Sequence, residues 1–177
     1  TGELAVLMQD EIIGGHDPAD YVSERVFAVA DDGTQIPISL VYRADLKQNG
    51  PMPLRLDGYG AYGINSEPLF SAFRLTLIDH GFIYAIAHVR GGSELGRPWY
   101  DDGKLLNKKN TFTDYIACAD HLIAEGYSSP DHLVAYGGSA GGLLLGAVSN
   151  MAPDRFKAIV PEGPFVDVLR VMLDPSL

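Results

Sequence analysis

The segment Gly137-Gly138-Ser139-Ala140-Gly141 holds the residue types that a nucleophilic serine needs around it. It has the G-x-S-x-G pattern and lies between two apolar runs, Leu133 to Tyr136 and Leu143 to Val148, which read as a strand and a helix. A sharp, strained turn between strand and helix lifts the hydroxyl clear of the sheet. Glycines on either side admit close backbone and unusual dihedrals. The amide after the serine, that of Ala140, then faces the place where an oxyanion would form on an attacked carbonyl. The segment lacks the lysine of a phosphate-binding P-loop and the glycine spacing of a dinucleotide fingerprint. One element of the chemistry is missing. All five histidines, at positions 16, 80, 88, 121 and 132, precede Ser139, so the order serine, acid, histidine is not completed in this chain.

Two further loops follow predicted strands. Asp57-Gly58-Tyr59-Gly60-Ala61-Tyr62-Gly63 comes after a strand at Leu54 to Gly58, where a second oxyanion donor is commonly supplied. Tyr59 and Tyr62 read equally well there as packing aromatics around glycine turns. Arg90-Gly91-Gly92-Ser93-Glu94-Leu95-Gly96 comes after a strand at Phe82 to Ala87. Arg90 and Glu94 read as structural, paired with one another or with loop carbonyls. Ser93 lacks the elbow pattern and is a poor rival to Ser139. His88 closes the same strand, where a packed, hydrogen-bonded imidazole is expected. Asp154, Asp167 and Asp174 follow the serine, and none is assigned as a triad acid.

These loops need elements to position them. Glu3 to Ile13 is strand-like, and the Gly/Pro/Asp cluster at 14–20 reads as a linker. Ser23 to Ala30 and Ile36 to Tyr42 read as a hairpin about Asp32-Gly33. Pro68 suits the first turn of a helix ending near Gly81, with Phe70, Phe73, Leu77 and Ile78 on one face. Thr111 and Asp114 resemble a capping box for a helix that Gly126 stops. The helix after Ser139 is apolar nearly all round and should be buried. Phe156 to Val160 reads as one more buried strand. After the hairpin, strands alternate with helices, which predicts an α/β fold with a mostly parallel sheet covered on both faces.

Composition narrows the function classes. The chain has 177 residues, 46% of them hydrophobic, enough for a substantial core. A formal net charge of −10 argues against nucleic acid as a partner. Cys118 is the only cysteine, so no internal disulfide and no cysteine zinc site is expected, and no cofactor or metal is implied. No apolar stretch is long enough to span a bilayer. The expected compartment is the cytoplasm, with the periplasm left open.

Several of these segments together resemble the prolyl oligopeptidase family of serine peptidases, and within it most closely the oligopeptidase B branch. The likeness is carried by Tyr21-Val22-Ser23-Glu24-Arg25-Val26 with Asp32-Gly33-Thr34, by Gly58 to Gly63, by Arg90 to Gly96, by Lys109 to Asp114 and by Gly137 to Gly142. The resemblance implies an α/β-hydrolase fold, incomplete at its C-terminus, over residues 18–177. Residues 1–17 would be the end of a preceding β-propeller and its linker. It implies Ser139 as nucleophile, Ala140 and Tyr59 as oxyanion donors, and Glu67 as a residue that helps hold a basic substrate. Short peptides cut after Arg or Lys would be the substrates. The triad Asp and His would lie beyond Leu177, and the propeller that screens substrates by size would also lie outside the chain. An esterase or acylaminoacyl hydrolase on the same fold, or a non-catalytic binding protein, stands as the alternative.

Overall fold

A computed structural model of the chain describes residues 2, 5–8, 12 and 14–176. The strand-like run at Glu3 to Ile13 falls largely outside them, and Ala5 to Met8 form no regular element. Six strands form one sheet: β1 (Tyr21–Val29), β2 (Gln35–Arg43), β3 (Leu54–Gly58), β4 (Ile83–Ala87), β5 (Leu133–Gly138) and β6 (Ala158–Glu162). The order across the sheet is β1-β2-β4-β3-β5-β6. The β1–β2 hairpin is antiparallel and β2 meets β4 antiparallel, whereas β4, β3, β5 and β6 run parallel. Helices α1 (Ala72–Ile78), α2 (Arg97–Asp101), α3 (Lys109–Ala124), α4 (Ala140–Met151) and α5 (Val168–Leu173) fill the connections.

The period-2 geometry of the strands sorts their side chains onto two faces. Leu54, Leu56 and Gly58 of β3, with Ile83, Ala85 and Ala87 of β4, turn toward α3 and α4, which supply Tyr115, Cys118, Leu122, Leu144, Leu145 and Val148. This is the main core. Gly58 is required there, because a Cβ would lie 2.6 Å from the Tyr115 ring. The Tyr115 hydroxyl itself donates to the Leu56 carbonyl at 2.6 Å. On the opposite face Ile78 of α1 packs with Tyr84 and Ile86 of β4. Both faces of β4 are covered, which is why its sequence is continuously apolar.

Register fixes the site. Gly58 pairs with Ala87, and Asp57 with Tyr136, so β3, β4 and β5 end together. The three glycine-rich loops that follow them therefore leave the same edge of the sheet, where ligands of open α/β sheets bind.

The structure corrects three expectations. Helix α1 starts at Ala72 rather than near Pro68, because the segment before Ser71 forms no helix; Ile78 and Leu75 pack on the sheet while Phe73 is 92% exposed. Thr111 and Asp114 lie inside α3 rather than at a capping box: the cap position is Lys108, and both side chains turn to the loop after β4. Strand β6 is open rather than buried, with Val160 45% exposed. Among the described residues it is the outermost strand, and α4 is packed against it. No helix among the described residues is long and apolar enough to cross a membrane.

Candidate active site

Strand β5 ends at Gly138 and α4 begins at Ala140, so Ser139 makes the turn between them alone. Its backbone stands at φ 52°, ψ −114°, a conformation that side-chain-bearing residues avoid. Three main-chain bonds hold it there. The Ser139 amide donates to the Glu162 carbonyl at 3.0 Å, and its carbonyl accepts from Gly142 at 2.9 Å and from Phe165 at 3.0 Å. The glycines around it answer to close approach. A Cβ on Gly137 would lie 2.8 Å from the Gly58 carbonyl oxygen, one on Gly141 would lie 2.6 Å from the same atom, and one on Gly142 would strike Pro164 at 2.5 Å. The elbow is thus seated on the end of β3. Ser139 is exposed and Ala140 buried. The Ala140 amide opens a 12-residue helix, so it has no intrahelical acceptor and sits at the positive end of the dipole.

Tyr59 follows Gly58 directly and lies against the elbow, its ring 3.5 Å from where a Gly141 Cβ would stand. It lines a cleft of about 250 Å³ together with Glu67, Arg74, Tyr136 and Gly137. The structure therefore brings Tyr59 and Glu67 to one cleft beside the serine turn. The charge of Asp57 in that cleft is already engaged, since Arg55 reaches it at 2.6 and 3.1 Å and the Tyr84 hydroxyl at 2.5 Å. Burial first, and the Asp57 charge second, push the Tyr84 phenol well above its ordinary range. Arg55 also stacks 3.6 Å from the centre of the Tyr136 ring. Glu67 is exposed, with no cationic side chain in ion-pair reach among the described residues.

The loop after β4 braces this arrangement, though not by the expected pairing of Arg90 with Glu94. Arg90 instead binds Asp114 of α3, donating from its amide (3.0 Å), Nε (2.8 Å) and Nη2 (2.6 Å), while Nη1 reaches Asp32 in the hairpin turn at 2.6 Å. Asp114 is fully buried; burial pushes its carboxyl up and the Arg90 donors pull it back. The nearby Asp32 carboxyl is lowered to about 2, mainly by Thr34 and then by Arg90. Glu94 accepts from the Ser66 amide at 2.9 Å, and His88 Nδ1 lies 3.6 Å from it. Burial would raise its carboxyl, but the His88 and Ser66 contacts outweigh that and leave it below the usual range. His88 is packed as the sequence suggested, with Nε2 2.8 Å from the Ser39 hydroxyl. Ser93 is a tie rather than a nucleophile, donating to the Gly63 carbonyl at 2.6 Å. No histidine among the described residues hydrogen-bonds Ser139.

Sequence reasoning missed Lys108. Its ammonium donates to the Gly60 carbonyl at 2.5 Å, one residue beyond Tyr59. Two adjacent lysines before a helix ordinarily read as solvated charge, so no local signal marks this one.

The model of the Prolyl oligopeptidase family matches residues 68–177. The chain belongs to that family. It is 53% identical over its whole length to dipeptidyl aminopeptidase BI of Pseudoxanthomonas mexicana and 51% identical to protease 2 of Moraxella lacunata, covering 24% and 26% of those proteins. The chain thus spans about a quarter of the length of these curated relatives. Oligopeptidase B from Leishmania major superposes with a TM-score of 0.90 at 53% identity, over 93% of this chain and 23% of that one. Oligopeptidase B from Trypanosoma brucei, solved in a closed form with covalently bound antipain, matches with the same score, identity and coverage. The α/β-hydrolase fold expected from the motifs is the fold these neighbours share.

Proposed function

We propose that this chain is the nucleophile-bearing part of a serine oligopeptidase, in which Ser139 attacks the scissile carbonyl and forms an acyl-enzyme. The observation that carries the reading is the backbone of Ser139: a non-glycine residue at φ 52° on a strand-to-helix turn, exposed and seated against β3. Strain of this kind persists where surrounding structure imposes it, and here it presents the hydroxyl at the edge where the β3 and β4 loops meet. The Ala140 amide and the Tyr59 hydroxyl receive the negative charge that develops on the carbonyl oxygen. Glu67, exposed and in no ion pair among the described residues, receives a basic substrate side chain. The covalent antipain in the T. brucei relative is in keeping with a nucleophile on this fold.

The base that takes the serine proton, and the acid that orients it, would lie beyond Leu177. Residues 1–17 would connect a preceding propeller to the catalytic domain that starts near residue 18. Reading the coding sequence past Leu177 tests this directly: an Asp near the end of a later strand followed by a loop His is expected, and a stop codon would leave Ser139 without a base. In the full-length protein, a fluorophosphonate should label Ser139. Arg- and Lys-linked peptide amides should be cleaved faster than Pro-linked ones, and the reverse order would refute the basic preference. The 53% identity to a dipeptidyl aminopeptidase favours a second reading, release of dipeptides from a free amino terminus. Loss of cleavage on blocking that terminus would select it.

A further inference from the structure

We infer that Lys108 is a positioning residue for Tyr59: its ammonium fixes the Gly60 carbonyl and thereby the tyrosine beside the nucleophile. The inference rests on the proposed role of Tyr59 as an oxyanion donor. The Gly60 carbonyl has two close neighbours. Lys108 Nζ lies 2.5 Å from it, and the backbone of Gly91 comes so near that a Cβ there would lie 2.1 Å from the same oxygen. Gly60 itself sits at φ +64°, with Thr111 and Val89 filling the space a side chain would need. The peptide after Tyr59 therefore has one seat, and the lysine is the charged group that closes it.

The setting of Lys108 argues against a routine surface lysine. It is half-buried, and no carboxylate lies within ion-pair reach of it among the described residues. Asp114 of α3 and Asp32 of the hairpin turn are bound by Arg90. Besides Gly60, its contacts are the Thr111 hydroxyl at 3.3 Å and the Phe112 ring, 5.9 Å away at its centre. Burial pushes its pKa down to about 8. Burying an ammonium without a counter-charge disfavours the fold, and the bond to the Gly60 carbonyl is the contact that offsets it. A cation aimed at a carbonyl oxygen forms a stronger, more directional bond than a neutral donor. That strength matters where a misplacement of about 1 Å costs on the order of a hundredfold in rate.

The test is a double-mutant cycle in the full-length protein with Tyr59→Phe and Lys108→Met. Tyr59→Phe should lower kcat by about a hundredfold or more. Lys108→Met should lower kcat by about tenfold with KM within about twofold and no fall in Tm, and Lys108→Arg should recover part of the loss. In the Tyr59→Phe background Lys108→Met should remove little more. Losses that multiply fully, or a Lys108→Met enzyme as fast as wild type while Tyr59→Phe is impaired, would overturn the inference alone. An unimpaired Tyr59→Phe would overturn the Tyr59 reading and the inference with it. Amide hydrogen exchange through Tyr59–Gly63 gives a readout independent of turnover. It should quicken in Lys108→Met, and unchanged exchange there would count against the tie.

Discussion

The elbow's strain can be measured without catalysis. Ser139 is exposed and held in place by main-chain bonds alone among the described residues, so removing its side chain forfeits little packing and none of those bonds. Ser139→Ala removes the hydroxyl and keeps the Cβ in the same disfavoured backbone; Ser139→Gly removes both. The difference between the two variants therefore isolates the conformational term. A non-glycine residue in a sparsely populated region costs about 1–3 kcal/mol, and glycine's greater freedom in the unfolded chain returns about 0.4–1 kcal/mol of that. The net expectation is that Ser139→Gly is more stable than Ser139→Ala by about 1–2 kcal/mol. For a domain of about 150–250 residues each kcal/mol moves Tm by about 2–4 °C, which puts Ser139→Gly about 2–8 °C higher. Thermal unfolding followed by circular dichroism, at one pH and protein concentration, reads the difference, and urea midpoints check it. A Ser139→Gly protein that melts at or below Ser139→Ala would refute the claim that the turn holds the serine against its own backbone preference.

Three further outcomes follow from named contacts. Asp114→Asn leaves the buried Arg90 guanidinium without its main counter-charge, and stability should fall by about 3–5 kcal/mol in a denaturant titration. Gly141→Ala puts a Cβ 2.6 Å from the Gly58 carbonyl, which cannot swing away as a side-chain tip would; about 1–3 kcal/mol of stability and most of the fluorophosphonate labelling rate should be lost together. Lys108 has a native pKa of about 8 against an ordinary 10.5, so between those values the unfolded chain binds the proton that the native state has lost, and this group makes stability rise with pH across that window. The Tm difference between Lys108→Met and wild type should accordingly be greatest, and most in the mutant's favour, below pH 8 and should shrink toward pH 10.5; a difference independent of pH would refute burial as the cause.

The parallel strands were legible because burial on both faces writes itself as an unbroken apolar run, as in Ile83 to Ala87. The elbow was legible because close approach leaves only glycine tolerable at 137, 141 and 142. What failed had a common cause, namely that the partner lay far off in sequence. Thr111 and Asp114 matched a local capping pattern, yet Arg90 claimed both, 21 and 24 residues away. Phe70 and Phe73 had helical spacing, but Phe70 lies before α1 and the two are 59% and 92% exposed among the described residues; periodicity alone cannot say whether a face is covered. Arg90 and Glu94 are structural as expected, but of the partners expected, one another or loop carbonyls, neither side chain takes the other: Arg90 binds Asp114 and Asp32, and Glu94 accepts from the Ser66 amide.

The site is better understood through its carbonyls than through its side chains. Going along the loop after β3, the Gly58 oxygen abuts Gly137 and Gly141 of the elbow, the Gly60 oxygen meets Gly91 and Lys108, the Gly63 oxygen accepts from Ser93, and the Ser66 amide reaches Glu94. One side of the loop is thus seated on the Ser139 turn and the other on the loop after β4. Tyr59 lies between these fastenings, so its place relative to Ser139 is set by close backbone approaches together with the Lys108, Ser93 and Glu94 side chains that bind the loop's main chain. The glycines of the three loops are therefore conditions on one another. Each permits an approach that the next requires, and a side chain added at 91 displaces the same peptide that Lys108 holds.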